Sequence, residues 1–529
     1  MRFSLESLTA VCFSRSAKFP SFPRAFQLRR SWLNATRNYD TTKQFHSRLS
    51  TKGTSKVSIS YSLRLNQNRI LEGIRLGKNW SWTQVRNGAR NQIRFHSVNT
   101  VSKLQPIQYA GHQDDSSYIE DRYYSEELED YWGIDFSNDN KSFVVDEKIR
   151  NKTVVVGISG GVDSSVSALL LKQQGFKNVV GVFMRNWDPQ DESGELDTCP
   201  ISEDFKVAEK VCKQLNIPLH EATFIGQYWT EVFEPYIEIL KSGGTPNPDI
   251  FCNMEIKFKA FFHYVNQKFG SDALVATGHY ARLGKSSKDF SPLLLNSVDS
   301  TKDQTYFLCG VGSRALSRVI FPLGSLYKTQ VRSLAKSHGL CTAEKKDSVG
   351  ICFVGKRKFT DFIGNYLDEN PGNIVSVDDT KITFGRHSGL FRYTIGQGAK
   401  VSGLKKKLFV TGKDPKTNNL FVCEGEDNPA LFSKGLYVNP KFMYWVDGEP
   451  PRDFCFTGTL RLKCKVRYRQ ASVWCTLHFE NSSTENRRLV VIFDEPEKAV
   501  TPMQVVAFYR GDVCLGGGLI GGVVDTNQS

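Results

Sequence analysis

The first stretch of the chain that points to chemistry is a glycine turn with polar neighbours, S-G-G-V-D-S-S at residues 159–165. It follows the apolar run 154–158, which has the length and β-branched content of a buried strand. A segment with helical apolar spacing comes after it, so the predicted order is strand, glycine turn, helix. We expect Asp163, Ser164 and Ser165 to cap free N–H groups at the helix start. A glycine turn that opens a helix favours phosphate, because backbone N–H groups and the helix dipole both point at the ligand.

The turn matches neither of the two commonest nucleotide motifs. No Lys follows the glycines, so it is not a Walker A loop, and the spacing is not G-x-G-x-x-G. Glycines near a helix start are often simple turn residues. Two glycines bracketed by Ser159, Asp163, Ser164 and Ser165 directly after a strand are more specific, and favour a phosphate-binding loop.

Two cysteines lie in segments that could support thiol chemistry. Cys252 belongs to N-P-D-I-F-C-N at 247–253, which its prolines and the preceding glycines predict to be a loop, with Asp249 three residues earlier. That carboxylate could relay a proton or raise the thiol pKa, and proximity alone does not decide between them. Cys352 lies in D-S-V-G-I-C-F at 347–353. Taken singly, each is also typical of a buried and inert thiol.

The elements around these motifs alternate between strand and helix from residue 153 onward. Short apolar runs at 179–183 and 274–276 predict further strands, and helical spacing recurs at 205–215 and 228–240. Repeated β–α units predict an α/β fold with a doubly wound parallel sheet, whose ligands bind beyond the carboxyl ends of the strands. Met184, Gly278 and His279 follow predicted strand ends, so they are eligible for the same site as the glycine turn.

From about residue 363 dense turn signals separate short strands, which predicts a small central β module and then a C-terminal β-barrel. The predicted organisation is a basic leader at 1–100, an acidic linker or extension at 101–150, a nucleotide-binding catalytic domain at 151–362, a central β-rich domain at 363–429 and the barrel at 430–529.

Charge is distributed unevenly along the 529 residues. Residues 1–100 hold 18 of the 69 Lys and Arg residues and 3 of the 55 Asp and Glu residues, which leaves the remainder near neutral despite the overall charge of +14. The leader is rich in Arg and Ser and poor in acids, a composition typical of a mitochondrial transit peptide, although a basic tail is the alternative. The twelve cysteines include no C-x-x-C pair, so we expect neither a structural zinc site nor other metal ligands. No apolar run is long enough for a membrane span.

One segment of the predicted barrel is strongly basic. Arg461, Lys463, Lys465, Arg467 and Arg469 alternate with apolar residues, so a strand over 456–466 and its extension would carry them on one face. Five cations on one face, with no acid among them, predict a surface that follows nucleic-acid phosphates, and an ordinary solvated face is the alternative.

Together with these features, several ordered motifs resemble a known family. S-G-G-V-D-S-S resembles the loop of PP-loop ATP pyrophosphatases, and it is followed by F-M-R-N-W (183–187), N-P-D-I-F-C-N, T-G-H-Y-A-R (277–282), K-D-Q-T-Y-F-L (302–308), F-P-L-G (321–324), S-V-G-I-C-F (348–353) and Y-T-I-G-Q (393–397). From about residue 153 to 521 the chain resembles the tRNA-specific 2-thiouridylases, and with its leader the mitochondrial form. The resemblance implies that ATP adenylates O2 of the wobble uridine of a mitochondrial tRNA, with those for Lys, Glu and Gln as the expected substrates, and that a persulfide then delivers sulfur to C2.

The resemblance also implies roles for individual residues. Cys352 would carry the persulfide, Cys252 would be the nucleophile that releases sulfur by forming a disulfide, and Asp249 would assist proton transfer at the target base. ATP, with Mg²⁺, would contact Gly157, Ile158, Ser159, Gly160, Gly161, Val162, Asp163, Ser164, Met184 and Gly278. The tRNA would contact Asn247, Pro248, Asp249, His279, Lys302, Asp303, Gln304, Arg467, Tyr468 and Gln504. The implied partners are mitochondrial tRNA and a persulfide donor, either a cysteine desulfurase or a sulfur relay protein, in the mitochondrial matrix.

The chain departs from the family pattern in two places. Gly398-Ala399-Lys400-Val401 follows Y-T-I-G-Q where Arg and then Gly-Leu are usual, and Met503 precedes Gln504 where Gly is usual. Two other functions stay open at this point. The first is a PP-loop ligase that adenylates a small molecule, against which the paired cysteines and the basic strand argue. The second is a tRNA-binding module without catalysis, against which Asp163, Cys252 and Cys352 argue.

Overall fold

The computed structural model describes residues 80–87 and 90–97 by their backbone, and residues 131, 146–187, 200–287, 289–347, 354, 357–480 and 488–524. It consists of two units, residues 1–112 and 113–529. The described part of the first unit is an antiparallel hairpin of β1 (Trp80–Asn87) and β2 (Arg90–Ser97). Most of the predicted leader and acidic segment lies outside the described residues, and so does Cys352.

The described strands of the second unit are, in chain order, β3 (Thr153–Gly157), β4 (Asn178–Arg185), β5 (Leu219–Thr223), β6 (Leu274–Ala276), β7 (Arg282–Lys285), β8 (Pro292–Leu295), β9 (Val319–Ile320), β10 (Gly372–Ser376), β11 (Thr383–His387), β12 (Leu408–Asp414), β13 (Asn419–Glu424), β14 (Phe432–Trp445), β15 (Thr459–Lys465), β16 (Val473–Phe479), β17 (Leu489–Lys498), β18 (Val505–Arg510) and β19 (Val513–Val524).

The α-helices are α1 (Glu147–Arg150), α2 (Val162–Gln173), α3 (Pro200–Gln214), α4 (Ile225–Tyr228), α5 (Glu234–Lys241), α6 (Pro248–Phe251), α7 (Phe261–Phe269), α8 (Thr305–Leu308), α9 (Ser313–Leu316), α10 (Lys328–Ser337), α11 (Phe359–Gly364) and α12 (Arg452–Thr457). π-Helical segments, Trp229–Phe233 and Cys252–Ala260, join α4 to α5 and α6 to α7. Short 3₁₀ turns occur at Leu390–Arg392 and Pro429–Leu431.

A five-stranded parallel sheet in the order β5-β4-β3-β6-β9 forms the nucleotide-binding half of the second unit. Alternate residues of β3 point to opposite faces of the sheet, because successive side chains of a strand alternate. Val154 and Val156 pack in a core with α2, whereas Val155 packs in a second core with α7. The sheet is therefore covered on both faces, and the predicted doubly wound α/β fold is confirmed.

The two β regions that follow are separate sheets. The central one has four strands in the order β11-β10-β13-β12, with the pair β10–β13 parallel. In the C-terminal one, β14-β17-β16-β15-β18-β19 closes on itself through pairing of β14 with β19, which makes a six-stranded barrel. The predicted central β module and C-terminal barrel are thus both present.

A hairpin from the nucleotide-binding half joins the barrel sheet. Strand β8 pairs antiparallel with β19, with Leu295 opposite Val513 and Leu294 opposite Cys514, and β7 lies outside β8. The chain between β6 and β9 therefore ties the parallel sheet directly to the barrel. Among the described residues, no helix is both long enough and apolar enough to cross a membrane.

Three local expectations were wrong. Residues 247–253 form helix α6 and the start of a π-helical segment instead of a loop, because Asn247 caps the helix and Pro248 occupies its first turn. The basic strand begins at Thr459 and ends at Lys465, and α12 replaces its predicted beginning. At the start of α2, Gly161 is the N-cap residue and no side chain caps the helix.

Candidate active site

The glycine turn between β3 and α2 is held tightly by its serines. The N–H group of Ser159 donates to Ser164 Oγ at 3.1 Å, and Ser165 Oγ donates to the carbonyl of Gly161 at 2.7 Å. Gly160 adopts φ +73°, and a Cβ there would lie 2.5 Å from the carbonyl oxygen of Asp204. Only glycine fits both restrictions, so the turn presents bare backbone at the mouth of the sheet, as phosphate binding requires.

The T-G-H-Y-A-R motif closes over the start of α2. A Cβ on Gly278 would lie 2.9 Å from Ser164 N and 3.0 Å from the carbonyl carbon of Asp163. On the other side, a Cβ on Gly157 would lie 3.1 Å from Met184 Cε. The structure therefore brings Gly157, Met184 and Gly278 together around the glycine turn.

Asp163 lies at the centre of a polar cluster that the sequence motifs did not reveal. Lys328 Nζ lies 2.7 and 2.8 Å from the two oxygens of Asp163, and Tyr280 donates its hydroxyl to Asp163 Oδ1 at 2.9 Å. Burial, followed by the charge and hydrogen bond of Asp163, raises the pKa of Tyr280, so it remains a donor at neutral pH. Lys328 begins α10, and the K-T-Q-V-R run after F-P-L-G was the available signal.

Lys328 also reaches Asp347, which connects the glycine turn to the segment before Cys352. Lys328 Nζ lies 3.0 Å from Asp347 Oδ1, and Lys302 and Arg332 bind the same carboxylate at 3.0 and 2.5 Å. Burial acts to raise the pKa of Asp347, but hydrogen bonds and charges from Lys328 and Lys302 outweigh it and lower the pKa to about 2. Residues 348–353 follow directly and lie outside the described part of the chain.

Helix α6 and the π-helical segment that follows it, together called the Cys252 helix, carry a half-buried carboxylate, Asp249, one turn before the thiol. Asn247 Oδ1 accepts a hydrogen bond from Asp249 N at 3.1 Å and Pro248 fills the first turn, so α6 has a defined start. Burial raises the pKa of Asp249, while the charge of Lys257 acts in the opposite direction. Cys252 is 5% exposed. This arrangement suits a carboxyl group that exchanges a proton near the thiol.

A short polar relay connects the Cys252 helix to the nucleotide side. Lys257 Nζ lies 3.5 Å from His279 Nε2, and His279 Nδ1 lies 2.8 Å from Thr277 Oγ1. Burial and the charge of Lys257 lower the pKa of His279 well below its usual value, so the ring is neutral and its Nε2 accepts a hydrogen bond from Lys257. Because Gly278 touches α2, residues 277–279 contact both the glycine turn and the Cys252 helix.

Several residues predicted to contact tRNA have hydrogen bonds or ion pairs within the chain. The Asp303 carboxylate is buried, accepts from Ser297 N at 3.1 Å and pairs with Lys465 at 3.2 Å. Gln304 exchanges two hydrogen bonds with the backbone of Tyr280, both at 2.9 Å. His279 is likewise buried, in the relay described above.

The remaining predicted contacts lie where the barrel meets the nucleotide-binding half. Tyr468 packs on Phe307 with ring centroids 4.3 Å apart. Gln504 donates to the carbonyl of Thr245 at 2.6 Å, just before Asn247 and Pro248. Lys302 pairs with Asp347, as above. Each of these side chains already has a partner within the chain.

The basic strand differs most from its prediction. Arg461 pairs with Asp494 at 2.7 Å, Lys465 with Asp303 and Arg467 with Glu497 at 2.8 Å, so acids from other elements neutralise three of the five cations. Arg467 and Arg469 lie beyond the end of β15, and Arg469 has φ +66°. The prediction of five unopposed cations on one strand face was wrong. Arg467 keeps 41% of its side chain exposed and Lys465 only 15%.

Among the described residues, no group of three or more His, Cys, Asp or Glu side chains is arranged to hold a metal ion. Two carboxylates beside the glycine turn, Asp163 and Asp347, are instead bridged by Lys328. A phosphate-bound cation would have to take its other ligands from the nucleotide and from water, as Mg²⁺ commonly does.

The parallel sheet and its glycine turn define a PP-loop type of nucleotide-binding protein, to which two β domains are appended. Three family profiles match: the tRNA methyl transferase HUP domain at residues 152–356, the tRNA methyl transferase PRC-barrel domain at 360–424 and the aminomethyltransferase beta-barrel domain at 434–520.

Curated relatives identify the family more narrowly. The chain is 47% identical over 375 residues to tRNA-specific 2-thiouridylase MnmA of Salmonella choleraesuis strain SC-B67, covering 70% of this chain and 96% of the relative. It is 49% identical over 380 residues to the protein of the same name in Pseudomonas aeruginosa strain LESB58, covering 70% and 95%. The chain belongs to the tRNA-specific 2-thiouridylase family.

Solved structures give only a distant likeness. The U34-tRNA thiolase NcsA from Methanococcus maripaludis with its [4Fe-4S] cluster matches with a TM-score of 0.25 and 17% identity, covering 44% of this chain and 78% of the other. The NH3-dependent NAD synthetase from Campylobacter jejuni matches with a TM-score of 0.23 and 23% identity, covering 38% and 71%. At these scores the likeness carries no argument about function.

Proposed function

We propose that this protein is an ATP-dependent tRNA-uridine 2-sulfurtransferase that converts the wobble uridine of tRNA to 2-thiouridine. Membership of the 2-thiouridylase family over nearly the whole length of its relatives is the observation that carries the proposal. The adjacency of a phosphate-type glycine turn and the Cys252 helix through residues 277–279 supports it, because the reaction needs nucleotide and thiol at one base.

The nucleotide is proposed to occupy the glycine turn, with Gly157 to Ser164, Met184 and Gly278 around it. ATP would supply the AMP group that turns the C2 oxygen of uridine into a good leaving group, and Mg²⁺ would offset the charge of its phosphates. On the protein side, backbone N–H groups of the turn bind phosphate oxygens. Lys328 is positioned to exchange its pairing with Asp163 for a phosphate oxygen.

Sulfur transfer is proposed to use both cysteines. The terminal sulfur of a persulfide on Cys352 attacks C2, and AMP leaves with the oxygen. The Cys252 thiolate then attacks the inner sulfur of that persulfide, which forms a Cys252–Cys352 disulfide and leaves the outer sulfur on the base. Asp249 accepts and returns the proton that this exchange requires. A reductant must later restore both thiols.

Three finer features are proposals that rest on composition and resemblance. The protein acts in the mitochondrial matrix, because residues 1–100 have the composition of a transit peptide. Its substrates are the mitochondrial tRNAs for Lys, Glu and Gln. Its sulfur comes from a cysteine desulfurase or a sulfur relay protein. Attaching residues 1–100 to a fluorescent reporter tests the first, and a reporter that stays outside mitochondria contradicts it.

AMP formation by the purified full chain with ATP and Mg²⁺ tests the adenylation step. We expect AMP release only when unmodified tRNA is present, and none from Asp163→Ala. Asp368→Ala removes an exposed acid and serves as the matched control, with AMP formation at the wild-type rate. AMP formation that a small carboxylate or ureido compound stimulates without tRNA would instead favour the small-molecule ligase. Binding of tRNA without AMP formation would favour the binding module.

A further inference from the structure

A cavity of about 540 Å³ lies where the nucleotide-binding half, the central sheet and the barrel meet. Its walls come from all three: residues 242–245 after α5, residues 377, 395, 411–413, 415 and 421 of the central sheet region, and residues 430–433, 500–503, 521 and 523 of the barrel region. This volume falls within the range typical of small-molecule sites. None of the residues assigned above to ATP, thiol chemistry or tRNA lines it.

The walls bring the three parts very close together. Gly243 has φ +80°, and a Cβ there would lie 2.7 Å from Pro415 Cγ. A Cβ on Gly244 would lie 2.6 Å from Ile239 Cγ2 and 2.8 Å from Met503 Cγ. Met503 itself adopts φ +68°, a conformation that favours glycine. The departure at Met503 is therefore part of this cavity wall.

The charge of the cavity is unbalanced. Lys413 is the one charged side chain among the residues that line it, and none of them is acidic. Lys413 Nζ donates to Thr245 Oγ1 at 3.1 Å, the one hydrogen bond that the described residues provide for its three donors. The neighbouring Asp414 accepts from Lys416 N and Thr417 Oγ1, within its own turn.

A second polar group, buried in the wall of the cavity, lacks a partner. Thr411 Oγ1 is buried and makes no hydrogen bond to the described residues. Buried hydroxyl groups are normally satisfied, so an unsatisfied one beside a cavity suggests a missing ligand atom. The rest of the wall is largely apolar, with Val377, Ile395, Phe421, Leu431, Val500 and Val523.

We propose that this cavity is a binding site for a small organic carboxylate, whose oxygens bind Lys413 and, once its side chain rotates, the hydroxyl of Thr411, and whose apolar body packs against the surrounding side chains. A single cation with no acid matches one negative charge, and an apolar wall favours an apolar body over a free inorganic ion. Thr245 leads into Asn247, the N-cap of the helix before Cys252. A bound carboxylate would therefore contact the segment that leads to Asp249.

Burial lowers the pKa of Lys413 to about 8. A bound carboxylate favours the charged ammonium, so binding takes up a proton above this pH. Among the residues that line the cavity, Lys413 is the group that titrates in this range, since the others are hydroxyl, apolar or glycine residues. Binding should therefore weaken about tenfold for each pH unit above about 8.

The test is a thermal-unfolding titration of the full chain with sodium benzoate at constant ionic strength, without ATP or tRNA. We expect a saturable rise in melting temperature at pH 7 that is smaller at pH 9 and absent with neutral benzamide. Lys413→Met should abolish it and still fold, because an apolar side chain replaces a buried charge. Thr411→Val should weaken binding several-fold, and Lys416→Met, an exposed lysine in the same turn, should behave as wild type.

Two results would overturn the proposal. The first is the absence of a benzoate effect, or an equal effect in wild type and Lys413→Met. The second is a loss of tRNA affinity in Lys413→Met when the wild type does not respond to benzoate. If the salt dependence of tRNA binding also falls by about one phosphate contact, Lys413 is a contact to the RNA backbone instead. Neither readout depends on sulfur transfer, so the result is independent of the proposed function.

Discussion

Replacing Lys328 with Met removes the cation that bridges Asp163 and Asp347 and leaves the size of the side chain nearly unchanged. Its Nζ lies 2.7 Å from one carboxylate and 3.0 Å from the other. At an effective dielectric constant of 20, each contact has a Coulomb energy of about 6 kcal/mol before desolvation. Only a fraction of that is net stabilisation, because both groups lose hydration when they pair and water still reaches them. Lys328 is 14% exposed and Asp163 is 33% exposed.

The net cost lies between two known limits. Breaking a fully buried pair costs about 3–5 kcal/mol, and breaking an exposed pair costs about 0–1 kcal/mol. We therefore expect Lys328→Met to lose about 2 kcal/mol of unfolding free energy, seen as a melting temperature lower by a few degrees. Lys346→Met, which changes an exposed neighbour of Asp347, should unfold at the wild-type temperature.

Activity separates a structural role from a direct one. If Lys328 moves to a phosphate oxygen, tRNA-dependent AMP formation at 25 °C should fall about 10²–10³-fold, while the protein stays folded. Lys328→Arg should retain much of the stability. A variant that melts lower but forms AMP at the wild-type rate would refute the role at the nucleotide. A variant unchanged in both measurements would refute the bridge itself.

Four further substitutions test other contacts of the site. Gly278→Ala places a Cβ 2.9 Å from Ser164 N, so the start of α2 must move. AMP formation should then fall more than tenfold, and the protein should lose about 1–3 kcal/mol of stability. Gly226→Ala has open space around it and is the control, so equal activity of the two variants would contradict the close approach. Asp249→Asn should abolish sulfur transfer yet raise stability at pH 7. Burial raises the pKa of Asp249 above its unfolded value of 3.8. The stabilisation from the protonated carboxyl is therefore present below pH 3.8 and is lost as the pH rises through the raised pKa, a loss that the Asn variant does not undergo. Denaturant titrations at pH 4 and pH 7 check this, and a wild type that gains as much stability as the variant over that interval would contradict it. Lys465→Glu should destabilise the fold, because it faces buried Asp303. Arg467→Gln, which places no second acid beside Glu497, should mainly weaken tRNA binding in a filter assay, and unchanged tRNA affinity would remove this residue from the interface.

The parts predictable from sequence were those whose cause is local. A β-branched run, two glycines and a helical apolar period produce β3, the turn and α2 from residues that are neighbours in the chain. Helix α6 was equally local, because Asn247 and Pro248 are a typical helix start, but the prolines were interpreted as loop signals. An Asn cap followed by Pro starts a helix here, and this signal outweighs the tendency of the prolines to form a loop.

The unpredicted parts depend on residues far apart in sequence. Lys328 meets Asp163 across 165 positions, and Lys465 meets Asp303 across 162. A pattern of alternating cations shows only its own strand, so it cannot reveal that acids on other elements neutralise them. Strands β14 and β19 close the barrel. Asn439-Pro440 interrupts the alternation of apolar residues in β14, and glycines replace apolar residues in β19, so neither sequence clearly predicts a long strand.

Thiolation itself is the most direct test of the proposed function. The full chain would be incubated with ATP, Mg²⁺, a persulfide donor and unmodified mitochondrial tRNA, and the digested tRNA would be analysed for 2-thiouridine by mass spectrometry. We predict 2-thiouridine from the wild type and none from Cys252→Ser or Cys352→Ser, with AMP formation retained in both variants. Wild-type AMP release without any 2-thiouridine, or undiminished thiolation by either cysteine variant, would contradict sulfur transfer through this pair.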